Sequence, residues 1–243
     1  MTSKTSGIGR FQSLYGKEIR AYFDHPTAYV VAVVFLIITG YFFTQELFLT
    51  RQTDMRPFAE LSSLLLVFFV PAVTMRLFAE ERKSGTLELL MTLPVEDGEI
   101  LFAKLFAAIS LMTFTLAMTL VYPVSIEFLG RVDPGSAVGV YTGLILTGSL
   151  LASAGLFASS LTRNQVVAFI ISFLIGFVLY SVGKATPYAP LWIAPLMNFL
   201  GIDSHLHGLA RGIFDSRDLV YYLTGTALFA FLTYVRLQLA RSD

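Results

Sequence analysis

The chain has 243 residues, of which 55% are hydrophobic and only 14% are charged, and its mean hydropathy is +0.70. Because a soluble domain carries about a quarter charged residues, this composition excludes an ordinary soluble protein and predicts a membrane protein. The absence of cysteine excludes disulfides and thiolate metal sites, and a formal net charge of zero leaves orientation to the placement of Lys and Arg.

The N-terminal segment, residues 1–26, is polar and lacks the apolar core and cleavage site of a signal peptide, so we expect the mature chain to keep it. Its apolar residues recur at helical spacing on one face, at Phe11, Leu14, Tyr15, Ile19, Tyr22 and Phe23. This pattern predicts an amphipathic helix over residues 8–25 that lies in the membrane interface and ends before Pro26. A helix that packs against a neighbouring span would show the same pattern.

Apolar runs long enough to cross the bilayer predict six transmembrane helices, at residues 27–49, 58–79, 100–129, 137–161, 165–183 and 218–237. Six spans place both termini on one side of the membrane. With the termini inside, 11 of the 17 Lys and Arg residues are cytoplasmic and 6 are outside, so the positive-inside rule predicts cytoplasmic termini in the inner membrane. Together these features predict an all-α polytopic membrane protein.

The connection between the second and third spans, residues 80–99, is rich in charge and would therefore lie in the cytoplasm. A short helix is predicted within it at about residues 84–94, with Glu88 in its first turn and Pro94 at its end. That helix would place Leu87, Leu90 and Met91 on one face. Because an apolar helix in water needs a partner, we expect this segment to dock onto another protein.

The stretch "EERKSGTLELLMTLPVEDGEILFAK", residues 80–104, resembles the signature of ABC-2 type exporter permeases, which have the type V exporter fold. The segment ending "KEIRAYFDHPTAYV" is also similar to that family. The stretch "HLHGLARGIFDSRDLVYYLTGTALFAFLT", residues 205–233, resembles the branch that includes the gliding-motility permease and the permease of nitrous-oxide reductase maturation. The resemblance covers nearly the whole of residues 1–243, as one permease domain.

The resemblance implies that the helix at about 84–94 is a coupling helix, seated in a groove of a separate ATP-binding subunit. The residues it assigns to docking are Glu80, Glu81, Gly85, Thr86, Leu87, Glu88, Leu90, Met91 and Pro94. A phosphate-binding loop has the form G-x-x-x-x-G-K-[ST], whereas Gly16-Lys17 is followed by Glu18, and Gly183-Lys184 by Ala185. We therefore expect no catalytic, cofactor or metal site in this chain, with ATP and Mg²⁺ on the partner.

Further partners are implied by the same resemblance. The family builds its pathway between two permeases, so a second copy or a related membrane subunit is expected, in a lipid bilayer and without nucleic acid. Export or mechanical work would both fit. Most of the polar residues in the spans are Ser and Thr, which usually bond to their own helix or to a neighbouring one, so no strongly charged route is evident. Pro71 and Pro123 predict local kinks.

The segment between the last two spans, residues 184–217, is long and apolar, and Trp192 suits a membrane interface. We expect it to dip into the outer leaflet without crossing. In the resembled family, short outer helices at this position cap the pathway, which implies an outer cap containing His205, Arg211 and Asp215. A packed lid that does not contact cargo would fit equally well.

Three alternatives remain open from the residues alone. Glu80-Glu81 is similar to a paired-glutamate motif of intramembrane proteases, although that motif needs Arg where Gly85 stands. Asp203, His205 and His207 could bind a cation if the segment were extended, but alternate residues of a helix point in different directions. A passive membrane scaffold is the third alternative.

Overall fold

A computed structural model describes residues 7–50, 54–88, 95–129 and 133–242. Within these ranges the chain is almost entirely helical and has no β-strand, which confirms the predicted all-α fold. The α-helices, in chain order, are α1 (Gly7–Asp24), α2 (Pro26–Thr50), α3 (Arg56–Thr74), α4 (Arg76–Ser84), α5 (Asp97–Met118), α6 (Val121–Leu129), α7 (Pro134–Leu161), α8 (Gln165–Ala185), α9 (Ala194–Leu200), α10 (Ile202–Ala210) and α11 (Ser216–Ser242).

Six helical segments are long and apolar enough to cross a membrane, as predicted. They are Ala28–Phe48, Arg56–Ser84, Asp97–Phe128, Pro134–Leu161, Gln165–Tyr188 and Ser216–Arg241. The second of these combines α3 with α4 and is longer than predicted, because the charged residues after position 79 continue the helix. The third combines α5 with α6.

Helix α7 forms the centre of the bundle. In the most apolar 18-residue stretch of α7, 72% of the residues are buried, compared with 22% in the corresponding stretches of α2, α8 and α11. Helix α7 packs against α3, α5, α8, α10 and α11. Glycines allow this close packing: a Cβ on Gly139 would overlap the Leu209 carbonyl, and one on Gly155 would overlap the Thr74 hydroxyl. The absence of side chains at these positions therefore lets α7 lie close to its neighbours.

Two spans are interrupted near the prolines that predicted kinks. The third span breaks between α5 and α6, one turn before Pro123. Proline has no N–H to donate to the Thr119 carbonyl, which instead accepts from the Tyr122 N–H at 2.9 Å. The second span breaks at Met75, one turn after Pro71, and the Met75 N–H still donates to the Pro71 carbonyl at 2.9 Å. A contact with α7, described below, stabilises the second break.

Helix α1 packs against the bundle through its apolar stripe. Its Phe11 meets Phe106 edge-on, and the Tyr15 hydroxyl lies 2.8 Å from that of Ser110 on α5. The Tyr22 hydroxyl donates to the Val73 carbonyl at 3.4 Å. The pattern is thus explained by packing on neighbouring spans, and a position in the membrane interface stays a prediction.

Candidate functional site

The two ends of the bundle differ in their polar contacts. We call residues 10–24, 76–88, 95–104, 160–165 and 236–242 the charged end, because ion pairs there join α1, α4, α5 and α11. The opposite end, residues 54–60, 133–139 and 184–217, is covered by α9 and α10, and we call it the capped end.

Helix α4, which leads to the predicted docking segment, is capped by a side chain of the central span. The Ser159 hydroxyl accepts hydrogen bonds from the N–H groups of Phe78 and Ala79, both at 3.0 Å, and donates to the Met75 carbonyl at 3.0 Å. First-turn N–H groups have no partner inside their own helix, and Met75 supplies no side-chain cap. Ser159 therefore satisfies the start of α4 and holds the break in the second span against α7.

The other end of α4 is bonded to the same span. The Arg82 Nη1 donates to the Ser160 carbonyl at 2.6 Å, beside the Ser159 contact. Since both bonds reach the end of α7, helix α4 is fixed to the central span along most of its length.

A buried ion-pair triad joins α4 to α1 and α5. The Lys104 Nζ lies 2.9 Å from Glu18 Oε1 and 2.7 Å from Glu81 Oε1, and the Lys104 side chain is only 2% exposed. The same ammonium lies 5.3 Å from the centre of the Phe78 ring. Breaking a buried ion pair costs several kcal/mol because it leaves an uncompensated charge, so the triad ties three helices together.

A cavity of about 200 Å³ adjoins the triad, between α1 and the end of the second span. Both the triad members and more exposed charged residues line it: Lys17, Glu18, His25, Arg76, Glu80, Glu81 and Lys104. Tyr22 also lines it, and burial, with a smaller effect of Glu18, raises the pKa of this hydroxyl. Tyr22 thus stays neutral and keeps its hydrogen for the Val73 carbonyl.

The predicted coupling helix begins after a sharp turn. Gly85 has a φ of 74°, in the left-handed region that favours glycine, and it ends α4. Residues 86–88 are helical again; Thr86 and Glu88 are exposed, whereas Leu87 is only 5% exposed and packs in the core of its own chain. The remaining predicted docking residues, Leu90, Met91 and Pro94, lie outside the described residues.

The two glutamates assigned to docking are placed differently. Glu80 is exposed, whereas Glu81 binds Lys104 within its own chain. A contact of Glu81 with another subunit would require this ion pair to open. Leu87 would likewise have to leave the core, so docking by either residue stays a prediction that needs a rearrangement.

After the docking segment, the chain continues into α5, whose first turn is capped. Glu96 and Glu99 form a capping box at the start of α5, and the Glu96 N–H donates to Glu99 at 3.2 Å. Arg241 Nη1 lies 3.1 Å from Asp97 Oδ1, and Arg10 Nη2 lies 3.6 Å from Glu99 Oε1. Ion pairs with α1 and α11 thus stabilise the start of α5, which follows the docking segment.

At the capped end, α9 and α10 form the short helices predicted between the last two spans. The Ser136 hydroxyl of α7 donates to the Ala210 carbonyl at 2.7 Å. Lys184 Nζ lies 3.1 Å from Asp203 and 3.7 Å from Glu60, and His207 Nε2 lies 3.4 Å from Asp203. A charged cluster therefore connects α10 to α3 and α8.

His205, assigned to the cap, lies on the buried face of α10. Its Nδ1 lies 2.7 Å from Asp218 Oδ1 and its Nε2 lies 3.0 Å from the Phe199 carbonyl. Both ring nitrogens therefore have a hydrogen-bond partner within the chain. The ring also stacks on Tyr221, with centres 4.0 Å apart, and His205 thereby joins α10 to α11.

The other two residues assigned to the cap, Arg211 and Asp215, lie next to helix ends. Arg211 is exposed and follows α10, and Asp215 Oδ1 accepts from the Arg217 N–H at 2.9 Å just before α11. The cation site considered for Asp203, His205 and His207 is not assembled, because α10 places His205 on Asp218 and the other two on Glu60 and Lys184. Among the described residues, no three His, Asp or Glu side chains could hold a metal ion.

The sequence matches the family of ABC-2 family transporter proteins over residues 8–240. The chain belongs to this family. An ABC-2 family transporter protein is a transmembrane permease subunit of an ABC transporter and is not itself the ATPase. No curated protein resembles the chain closely enough to count as a relative.

The ion-pair triad of Lys104 and the hydrogen bonds of Ser159 in this ABC-2 permease were not predicted from the sequence. Lys104 was predicted only as part of the family motif and was not paired with Glu18 or Glu81. A signal was available: Lys104 is the only lysine or arginine of its predicted span, residues 100–129, and a charge in a span usually has a partner. Nothing in the sequence distinguishes Ser159 from the other small residues of α7.

Proposed function

We propose that this ABC-2 permease couples ATP hydrolysis by a separate ATP-binding subunit to export or mechanical work across the membrane. The charged end and both termini would lie in the cytoplasm, as the distribution of Lys and Arg predicts. The observation that carries the proposal is the bonding of α4, immediately before the docking segment, to α1, α5 and α7.

These bonds make α4 suited to transmit movement. A conformational change can pass between sites through packed helices and hydrogen-bond networks. A displacement at Gly85 would act on the central span through Ser159 and on α1 and α5 through Lys104. The docking segment would therefore influence the spans without an intervening flexible linker.

Replacing Leu90 with Ala tests the docking segment. If Leu90 is a desolvated contact, its truncation costs about 2 to 4 kcal/mol, which weakens binding by about 30-fold to 1000-fold. The measurement is the Kd for the ATP-binding subunit that copurifies with the full chain from its native membrane. Leu191→Ala is the matched control, because Leu191 is 93% exposed at the capped end.

The thermal stability of the same variants separates docking from internal packing. We expect Leu90→Ala to keep the Tm of the isolated permease while losing affinity for the ATP-binding subunit. An unchanged Kd with a lowered Tm would show that Leu90 packs only on its own subunit, and would contradict the docking role.

The ATP chemistry is assigned to the partner. We expect the purified permease alone neither to bind nor to hydrolyse ATP, because neither Gly-Lys pair is followed by Ser or Thr. Binding of ATP at micromolar Kd by a preparation free of any ATP-binding subunit would contradict this assignment. ATPase activity that appears only when the copurified subunit is restored would support it.

Pairing with a second permease completes the proposed assembly. In the most apolar 18-residue stretches of α2, α8 and α11, only 22% of the residues are buried. These helices therefore have apolar surface for lipid or for another membrane subunit. Native mass spectrometry of the detergent-extracted complex would distinguish a homodimer from a heterodimer. The branch related to gliding motility and nitrous-oxide reductase maturation stays a prediction based on residues 205–233.

A further inference from the structure

A cavity of about 550 Å³ lies at the charged end, beside the start of the docking segment. Its charged lining consists of Arg82 on α4, Arg163 between α7 and α8, Arg236 on α11, and Glu88. We call it the arginine cavity. Its volume lies within the range of about 300 to 1,000 Å³ that is usual for ligand sites, so it can receive several side chains.

The three arginines have no counter-ion in the part of the chain that the structure describes. None of them forms an ion pair with a carboxylate there, whereas Lys104 and Arg241 at the same end do. Among the described residues, the only side-chain hydrogen bond of these three arginines runs from Arg82 to the Ser160 carbonyl. Residues 89–94 lie outside the described ranges and carry no charge.

Among the described residues, the lining therefore places three positive charges against one negative charge around the cavity. Like charges at close range repel, and an entering anion would relieve this repulsion. Guanidinium groups bind carboxylates with two parallel hydrogen bonds. Because the arginines come from three separate parts of the chain, an anion bound among them would also connect those parts.

We propose that the arginine cavity receives acidic side chains of the ATP-binding subunit. This proposal rests on the proposed function, because the wall formed by Gly85, Leu87 and Glu88 leads directly into the segment assigned to docking. A subunit seated on that segment would lie next to the cavity. Opposite charges at an interface increase the rate of association and fix the register of the two proteins.

The cavity suits separate carboxylates better than a single phosphate group. Glu88 shares the lining with the arginines and would repel a doubly charged phosphate nearby. Carboxylates on different side chains can each approach one arginine and avoid Glu88. Two or more Asp or Glu residues on one exposed segment of the ATP-binding subunit are the chemistry that the lining would recognise.

The test uses the full permease in phosphatidylcholine nanodiscs and the ATP-binding subunit copurified from the native membrane. The variants are Arg163→Gln with Arg236→Gln, and the charge reversal Arg163→Glu with Arg236→Glu. Arg211→Glu with Arg217→Glu at the capped end is the matched control, because both of those arginines are exposed. The Kd is measured at about 0.05 M and about 0.5 M NaCl, where charge interactions differ strongly in range.

We expect the charge reversal to raise the Kd about tenfold or more at low salt, with a smaller rise for the Gln variants and at high salt. The control should bind as the wild type does. Unchanged affinity of both cavity variants, with Leu90→Ala still weakening the complex, would overturn this proposal and leave the proposed function standing. A wild-type permease that binds no ATP-binding subunit would contradict the proposed function, and the cavity proposal would fall with it.

A second arm distinguishes a lipid headgroup from the partner protein. Wild type and the charge-reversal variant are compared in nanodiscs that contain phosphatidylglycerol, and retained lipid is measured by native mass spectrometry. Loss of retained phosphatidylglycerol with unchanged affinity for the ATP-binding subunit would assign the cavity to anionic lipid and overturn the proposal. Loss of protein affinity in pure phosphatidylcholine, which has no net charge, would support it.

Discussion

The Nζ of Lys104 lies 2.7 Å from Oε1 of Glu81, so a lysine of the third span is bonded to the extension of the second span. The pair is largely shielded from water, since the side chains are 2% and 16% exposed. It stands immediately before the turn at Gly85 that leads to the docking segment. An ion pair at this position couples the third span directly to the part of the chain that we expect to contact the ATP-binding subunit.

Replacing Lys104 with Met should destabilise the permease strongly. Glu18 and Glu81 would be left buried without their cation, which costs about 3 to 5 kcal/mol. We expect a clear fall in Tm in detergent. The triple variant Lys104→Met, Glu18→Gln, Glu81→Gln should recover most of the stability, since no unpaired charge remains. A Lys104→Met protein as stable as the wild type would show that the triad contributes nothing.

Replacing Ser159 with Ala should loosen the start of α4. The N–H groups of Phe78 and Ala79 would lose their acceptor, and an unsatisfied buried polar group costs about 1 to 3 kcal/mol. Ser153→Ala is the matched control, because Ser153 is also fully buried but bonds only to Leu150 in its own helix. Equal losses of Tm in the two variants would contradict a specific capping role.

Replacing His205 with Ala should weaken the capped end. Asp218 and the Phe199 carbonyl would lose their contacts with the ring, and a buried polar group left without a partner costs about 1 to 3 kcal/mol. His207→Ala, on the same helix, is the control: its side chain is 38% exposed, and such surface changes usually stay within about 0.5 kcal/mol. Thermal unfolding of both variants measures the difference. A larger effect at His207 would contradict the assignment.

Cysteine labelling tests the orientation. The native chain has no cysteine, so Ser84→Cys reports on the charged end and Ser216→Cys on the capped end; both serines are exposed. Ser136 is unsuitable because it is 9% exposed and bonded to Ala210. We expect an impermeant reagent added to intact cells to label Ser216→Cys alone. Labelling of Ser84→Cys under these conditions would reverse the topology.

The sequence pattern was sufficient to predict the spans, whereas the short helices of the capped end were implied by the resemblance to the family. Apolar runs have a length fixed by the bilayer, and the polar residues between them mark the ends. Ser149 and Ser153 also bond to their own helix, as composition suggests for serines in spans. These features depend on local sequence, so they can be predicted without knowing which helices are neighbours.

The bonds that organise the charged end depend on tertiary packing and were not predicted. Ser159 reaches Phe78 across 81 positions of sequence, and Lys104 reaches Glu18 across 86. Helical periodicity does not specify which serine of α7 faces the break at Met75. For the same reason the burial of Leu87 within its own chain was not predicted, and its contact with a partner stays a prediction.

The shape of α4 has a mechanical consequence. Its nine residues make a rod about 13 Å long, fastened at its start by Ser159 and further along by Arg82 and Glu81. A rod held at several points cannot swing about one hinge. A force applied at Gly85 would therefore act on α1, α5 and α7 at the same time. These three helices would either move together or resist the force together.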